Sequence, residues 1–243
     1  ARTVDGPVVA VAAPGQALPD LPEGVRVVED PVEGRGPMQG VATGLAAVAE
    51  GAEVAFVCST DMPFLHPAFI RRVLRGLADP DVDMAMPVAG GFRQPLASGY
   101  RTALAGLIAE LLTKGEFRPG MLFKHCTVTR IDDEQLLADR DIARHDPALE
   151  SVVNVNTPQE YQAAHDRPAP EVAVECFGAL ASGGNHRPAS VRAATLGAAA
   201  ASVGLTLDRH VVAALNGDQM TRDSRLPLVA GDTVSFLSAD AGG

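Results

Sequence analysis

Positive charge is scarce in this chain. Its 243 residues carry 20 Lys and Arg against 30 Asp and Glu, a formal net charge of −10 at neutral pH. A general nucleic-acid surface, or one that binds anionic membranes, needs clustered positive charge, so neither class fits. A nucleotide pocket stays open, because backbone N–H groups and a metal ion hold phosphates without net positive charge. Cysteine is scarce too. Cys58, Cys126 and Cys176 are odd in number, far apart and free of any C-x-x-C spacing. That pattern gives no zinc site and fits a reducing compartment, so a cytoplasmic location is expected. Six histidines are scattered with no i, i+4 pair, and no Ser-His or Cys-His pairing is recognisable. No apolar run approaches the roughly 18 residues of a membrane span. The opening "ARTVDG" has no apolar core behind its basic residue, so it does not read as a signal peptide.

Hydrophobic residues make up 47% of the chain, enough for a sizeable core, and the length allows one or two domains. "PVVAVAA" (residues 7–13), "VRVVE" (25–29), "EVAFVC" (53–58), "DMAMPV" (83–88) and "CTVTRI" (126–131) read as strands. Between them lie helical stretches. "VATGLAAVAEG" is rich in small residues and closes on Gly51. "AFIRRVLRGLA" puts Ile70, Val73, Leu74 and Leu77 on one face with Arg71, Arg72 and Arg75 opposite. "TALAGLIAELLTKG" repeats the period and stops at Gly115. "NTPQEYQAAH" opens with a capping box of Thr157 and Glu160 around Pro158. Alternating strands and helices predict an α/β, Rossmann-like layer with a mostly parallel sheet over residues 1–166. Ligands of such sheets bind beyond the carboxyl ends of the strands.

The texture changes at "HDRPAPE" (165–171), which reads as a linker. Residues 171–243 then run strand ("EVAVECF"), loop, strand ("ASVRAA") and helix ("TLGAAAASVG"), with Thr195 as cap and Gly204 as stop. "HVVAALNGDQM" is strand, Asn-Gly turn, strand, and "DTVSFLS" is the last strand. This order predicts a small α+β roll.

Three spots could carry chemistry. Asp61, in "CSTDMPFL", follows a strand end in a loop turned by Pro63. A carboxylate there can hold a divalent cation such as Mg²⁺, or it can cap the next helix or make an Asx-turn. "EDPVEGRGPMQG" sets Asp30, Gly36 and Gly40 ahead of a helix whose first N–H groups could hold an anion, or it is a plain strand–helix loop. "NVNTPQE" places Asn154 and Asn156 on one side of an extended segment, as polar-ligand contacts or as loop-fixing side chains.

Taken together and in order, "GPMQGVATGL", "CSTDMPFL", "QPLASGYR" and "NVNTPQEY" resemble the molybdenum cofactor guanylyltransferase family over most of residues 4–165. The resemblance implies nucleotidyl transfer from a nucleoside triphosphate to molybdopterin with Mg²⁺. GTP is the implied donor, with CTP, or transfer to a sugar phosphate, as rivals. It implies that Asp61 binds the metal and Asp30 contacts the nucleotide. Gly36 and Gly40 would stand by the nucleotide, and Asn154 and Asn156 on the pterin side of the cleft. That family opens with a glycine-rich loop, L-A-G-G-x-S-x-R-M-G-x-x-K, that wraps the triphosphate. Nothing like it occurs in these residues, and it is expected ahead of Ala1; a first domain that only binds partners is the other reading.

The C-terminal stretch resembles the molybdopterin synthase small subunit and its thiamine-pathway sulfur-carrier relatives, through "VAVECFGALA", "LNGDQMTRDSRLPLVAGDTVSFL" and the final Gly242-Gly243. That implies a β-grasp fold whose Gly243 carboxylate is adenylated and turned into a thiocarboxylate. The implied partners are a MoeB/ThiF-like activating enzyme and the molybdopterin synthase large subunit.

Overall fold

The computed structural model describes residues 3–32, 34–181, 188–217 and 219–239. Its chain contacts divide it into two compact units, Ala1–Asn156 and Thr157–Gly243.

In the first unit the elements run β1 (Val8–Ala12), β2 (Val25–Glu29), α1 (Pro37–Val48), β3 (Val54–Cys58), α2 (Pro67–Arg75), β4 (Met84–Ala89), β5 (Phe92–Arg93), β6 (Ala97–Arg101), α3 (Leu104–Thr113), α4 (Pro119–Leu122), β7 (Val128–Asp132), α5 (Asp133–Leu137) and α6 (Arg140–His145). A 3-10 turn follows at Glu150–Val152. Every strand and helix read from the sequence of this unit is present. The sheet is not mostly parallel, however. β1 pairs β2 and β4 pairs β7 in parallel, while β3–β6, β4–β6 and β4–β5 are antiparallel. The cause is β6, which returns beside β3 and β4. Its "ASGYR" sequence holds no β-branched residue and is buried on both faces over Ala97–Tyr100, so it shows no apolar alternation to announce a strand. Among the described strands, β1 and β2 form a two-stranded sheet of their own.

Pro87 sits inside β4 without a ladder donor. The partner on that side changes there: Met84 and Ala85 face β6, whereas Val88 and Ala89 face β5. A residue without an N–H is tolerated at such a break. Alternation along β4 divides the core. Met84 and Met86 point into one cluster with Leu45 of α1, Tyr100 and Ile108 of α3. Ala85 and Ala89 point into the other, with Phe69 and Val73 of α2, Ile131 of β7 and Ile142 of α6. At Gly76, just past α2, an added Cβ would lie 2.8 Å from the Ala85 Cβ, so this turn presses onto the sheet as only glycine can. The guanidinium face of α2 is not idle: Arg75 pairs with Asp139, the N-cap of α6, and Arg72 donates to the Gln135 carbonyl.

The second unit opens with α7 (Pro158–His165), which has the expected capping box and buries none of its residues. The helix therefore falls with the second unit, ahead of the "HDRPAPE" stretch. Then come β8 (Glu171–Cys176), a 3-10 turn at Gly178–Leu180, β9 (Ala189–Arg192), α8 (Leu196–Ser202), β10 (Val211–Leu215), β11 (Gln219–Thr221) and β12 (Thr233–Ser238). Five strands line up in the order β11-β10-β12-β8-β9. The central β12–β8 pair is parallel, and β10–β11, β10–β12 and β8–β9 are antiparallel. Leu196, Ala199 and Ala200 of α8 bury against Val172, Val174, Ala213, Val234 and Phe236. Thr195 caps α8 by accepting from the Ala198 N–H. In the hairpin, Asn216 takes φ 52° and Gly217 φ 83°, the left-handed pair that an Asn-Gly turn supplies. The Asn216 side chain donates to Asp232, and its own oxygen accepts from the Thr233 N–H, which ties the turn to the last strand.

Candidate active site

β3 ends at Cys58, and the Ser59 N–H still reaches across to the Leu96 carbonyl at 3.0 Å. The chain then leaves the sheet. Asp61 does not cap the following helix: His66 does, its Nδ1 accepting from the Ala68 N–H at 3.1 Å. The Asp61 carboxylate instead takes two side-chain donors on one oxygen. The Ser59 hydroxyl donates to Oδ1, and Asn154 Nδ2 donates to the same atom, at 2.8 Å in the second case. Partial burial works against ionisation of this group. The bonds from Ser59 and Asn154, with its own backbone N–H, outweigh that and hold the carboxyl below the ordinary aspartate range. Asp61 is therefore a fixed anion at neutral pH.

The partner segment is held as firmly. The Val155 N–H donates to the Asp61 carbonyl at 2.8 Å, and the His66 N–H donates to Ser151 Oγ at 3.0 Å. Ser151 is fully buried, and its N–H, with that of Glu150, is accepted by the buried Asp146 carboxylate. Leu149, between them, sits at φ 52°, a conformation that bulky L-residues rarely adopt. The two Asp146 acceptor bonds and a Leu149 N–H bond to the Asp146 carbonyl define the turn in which it sits. The His66 and His145 rings stack with centroids 5.7 Å apart. Segments nearly a hundred residues apart in sequence are thus tied at Asp61, Asn154, Val155, His66 and Ser151.

Asp30 lies one residue past β2. Its N–H continues the ladder to the Ala12 carbonyl, and its Oδ1 accepts from Thr43 Oγ1 of α1 at 2.8 Å, with Gln39 Nε2 reaching the same hydroxyl at 3.3 Å. Gly36 is the N-cap of α1 at φ 71°, with no side chain bonded over the helix start and Pro37 at the first helical position. Gly40 falls inside α1 rather than ahead of it. A Cβ there would lie 3.9 Å from Asp30 Oδ2, so the carboxylate lies against the flank of α1, between Gly40 and Thr43. Among the described residues no direct hydrogen bond joins Asp30 to Asp61. Asn156, at the end of the first unit, is exposed. Gly242 and Gly243 lie outside the described residues.

Sequence reading missed Ser59, Thr43 and Ser151. A hydroxyl two residues before Asp61 was a visible signal; Thr43 and Ser151 gain their roles only when distant segments meet. The "QPLASGYR" stretch is scaffold: Ser98 Oγ donates to the Gln94 carbonyl, Tyr100 OH to the Pro95 carbonyl, and Arg101 to the carbonyls of Leu77, Asp79 and Val82. No group of three or more His, Cys, Asp or Glu that could hold a metal ion occurs among the described residues. Asp61 offers one hard oxygen ligand, which fits a cation whose other positions are filled by water and phosphate and not a cation caged by protein.

An α/β layer with anionic side chains at the carboxyl ends of its strands belongs to the class of folds that hold ligands beyond those ends. Within that class, this chain belongs to the MobA-like NTP transferase domain family, which it matches over residues 1–129. It is 39% identical over 126 residues to a protein of Mycobacterium bovis named "Probable molybdenum cofactor guanylyltransferase", covering 51% of this chain and 61% of that one. The protein of the same name from Mycobacterium tuberculosis matches equally, and that from Mycobacterium avium is 39% identical over 110 residues, 45% of this chain and 54% of its own. The chain thus spans about three fifths of the length of the Mycobacterium bovis and Mycobacterium tuberculosis proteins. Among solved structures, molybdopterin-guanine dinucleotide biosynthesis protein A of Archaeoglobus fulgidus aligns with a TM-score of 0.47 and 19% identity, over 57% of this chain and 66% of that one.

Proposed function

We propose that the first unit transfers a nucleotidyl group, GMP from GTP, to molybdopterin. The observation that carries this reading is the Asp61 carboxylate, ionised and fixed beyond the end of β3 in a chain of the MobA-like family. An oxygen of the pterin phosphate attacks the α-phosphorus of GTP, and pyrophosphate leaves. Mg²⁺, when bound, would offset the repulsion between the two anions. Asp61 would hold that ion. Asp30, bonded to Thr43 and close to Gly40 on α1, would take the nucleotide with Gly36 and Gly40, and Asn154 and Asn156 the pterin side. No protein nucleophile is required, because positioning and charge neutralisation do the work.

The second unit we read as a β-grasp sulfur carrier. Its mixed five-stranded sheet with one packed helix supports this. The Gly243 carboxylate would attack the α-phosphorus of ATP on a MoeB/ThiF-like activating enzyme, releasing pyrophosphate. A sulfur donor would then displace AMP to leave a thiocarboxylate for delivery to the molybdopterin synthase large subunit. Glycine has no Cβ, so the tail can thread a narrow channel.

The full-length chain, incubated with molybdopterin, Mg²⁺ and either GTP or CTP, tests the first reading by detection of the pterin dinucleotide. Product with GTP is expected; product with CTP alone reassigns the donor, and product with neither removes the transferase reading. Intact mass after incubation with activating enzyme, ATP and a sulfur source tests the second. A gain of about 16 Da marks exchange of one oxygen for sulfur. An unchanged mass, with a partner proven on another carrier, rejects the carrier role.

A further inference from the structure

Asp61 is held in an uneven way. Both side-chain donors, the Ser59 hydroxyl and Asn154 Nδ2, converge on Oδ1. A carboxylate oxygen has two lone-pair sites, so these two bonds saturate Oδ1, and neither donor reaches Oδ2. The backbone clasp from the Val155 N–H to the Asp61 carbonyl keeps the Asn154 side chain from drifting away, and the bond from the His66 N–H to the buried Ser151 anchors the other end of the loop. The carboxylate therefore cannot rotate to offer both oxygens without breaking two hydrogen bonds to an anion.

We infer that Ser59 and Asn154 are positioning residues that restrict Asp61 to single-oxygen coordination through Oδ2, and so bias its site toward a small octahedral cation and against a larger one. The inference rests on the reading of Asp61 as the cation ligand. Mg²⁺ takes carboxylates one oxygen at a time in a tight octahedron, whereas Ca²⁺ accepts bidentate carboxylates and higher coordination. Blocking Oδ1 costs Mg²⁺ nothing and denies Ca²⁺ its second oxygen. Asn154 keeps its own Oδ1 as an acceptor, so holding Asp61 does not use up the side chain for a polar ligand.

The test is paramagnetic broadening of amide signals by Mn²⁺ in the isotope-labelled full-length chain, with Mg²⁺ and Ca²⁺ as competitors. In the unaltered chain, signals of residues 59–62 and 154–155 should broaden, and Mg²⁺ should reverse this at lower concentration than Ca²⁺. Asp61→Asn should abolish the broadening. Ser59→Ala and Asn154→Ala should keep it but strengthen Ca²⁺ about tenfold, by freeing Oδ1, while Mg²⁺ changes by less than about threefold, so that the preference collapses. Ser59→Thr, which retains the hydroxyl, should keep the preference. If Asn154→Ala loses its dispersed spectrum, Ser59→Ala alone decides. An unchanged Mg²⁺ preference in folded variants overturns the positioning role and leaves the metal reading standing. Broadening that survives Asp61→Asn, or none in the unaltered chain, overturns the metal reading and this inference with it.

Discussion

The two units differ in how local their specifying signals are. In the second, the helix and the hairpin are announced by residues next to them: Thr195 before α8, Gly204 after it, and Asn216-Gly217 between β10 and β11. In the first, the strand that decides the sheet, β6, carries no such announcement, and its neighbours β3 and β4 lie far from one another in sequence. The chemistry divides along the same line. The candidate site of the first unit is built by contacts between Asp61 and Asn154 across ninety-three residues, whereas the reacting group proposed for the second is the carboxylate of one residue, Gly243. A site made by long-range contact should be sensitive to its partners, and a tail should be sensitive only to itself.

The largest effects should come from Asp61 and Gly243, and each should leave the other unit's reaction intact. Asp61→Asn is expected to lower nucleotidyl transfer by at least about 100-fold with little change in melting temperature, because a loop carboxylate adds little to the core. The same variant should be adenylated at Gly243 as before. One residue added after Gly243 should abolish adenylation and leave transfer intact. A variant that disables both reactions would show that the two sites are not independent.

Next come the cores. Phe69 and Phe236 are each fully buried, one in each unit. Phe69→Ala and Phe236→Ala should each cost about 3–5 kcal/mol in the unit that holds the residue. Calorimetry should then show one transition shifted and the other in place. Limited proteolysis should cut within residues 167–170, where Arg167 and Pro168 are exposed, and leave two folded pieces. A single transition that moves with either substitution would break the division.

The smallest effects separate two helix caps that look alike in sequence. Thr195 caps a helix that buries Leu196, Ala199 and Ala200, so Thr195→Ala should lower the second unit's stability by about 1 kcal/mol. Thr157 caps α7, which buries nothing. An eight-residue helix without a buried face is marginal in water, so Thr157→Ala should stay within about 0.5 kcal/mol, measured by denaturant unfolding. Equal losses would show that α7 has a packing partner.

By itself the sequence determined the elements whose signals are local. Periodic apolar faces marked α2 and α3. Capping residues marked α7 and α8, an Asn-Gly pair marked the hairpin, and short apolar runs marked β1, β2, β3, β4 and β7. It also singled out Asp61, because an acid after an apolar run and before a proline is visible in eight residues. Only the tertiary structure decided that β6 runs antiparallel, since a strand buried on both faces leaves no alternation to read. Only it showed that His66 caps α2 and that Gly40 lies within α1. And only it joined Ser59 and Asn154 on one oxygen of Asp61, because hydrogen-bond partners are chosen by distance in space, and a chain's folding brings together residues that no spacing along it connects.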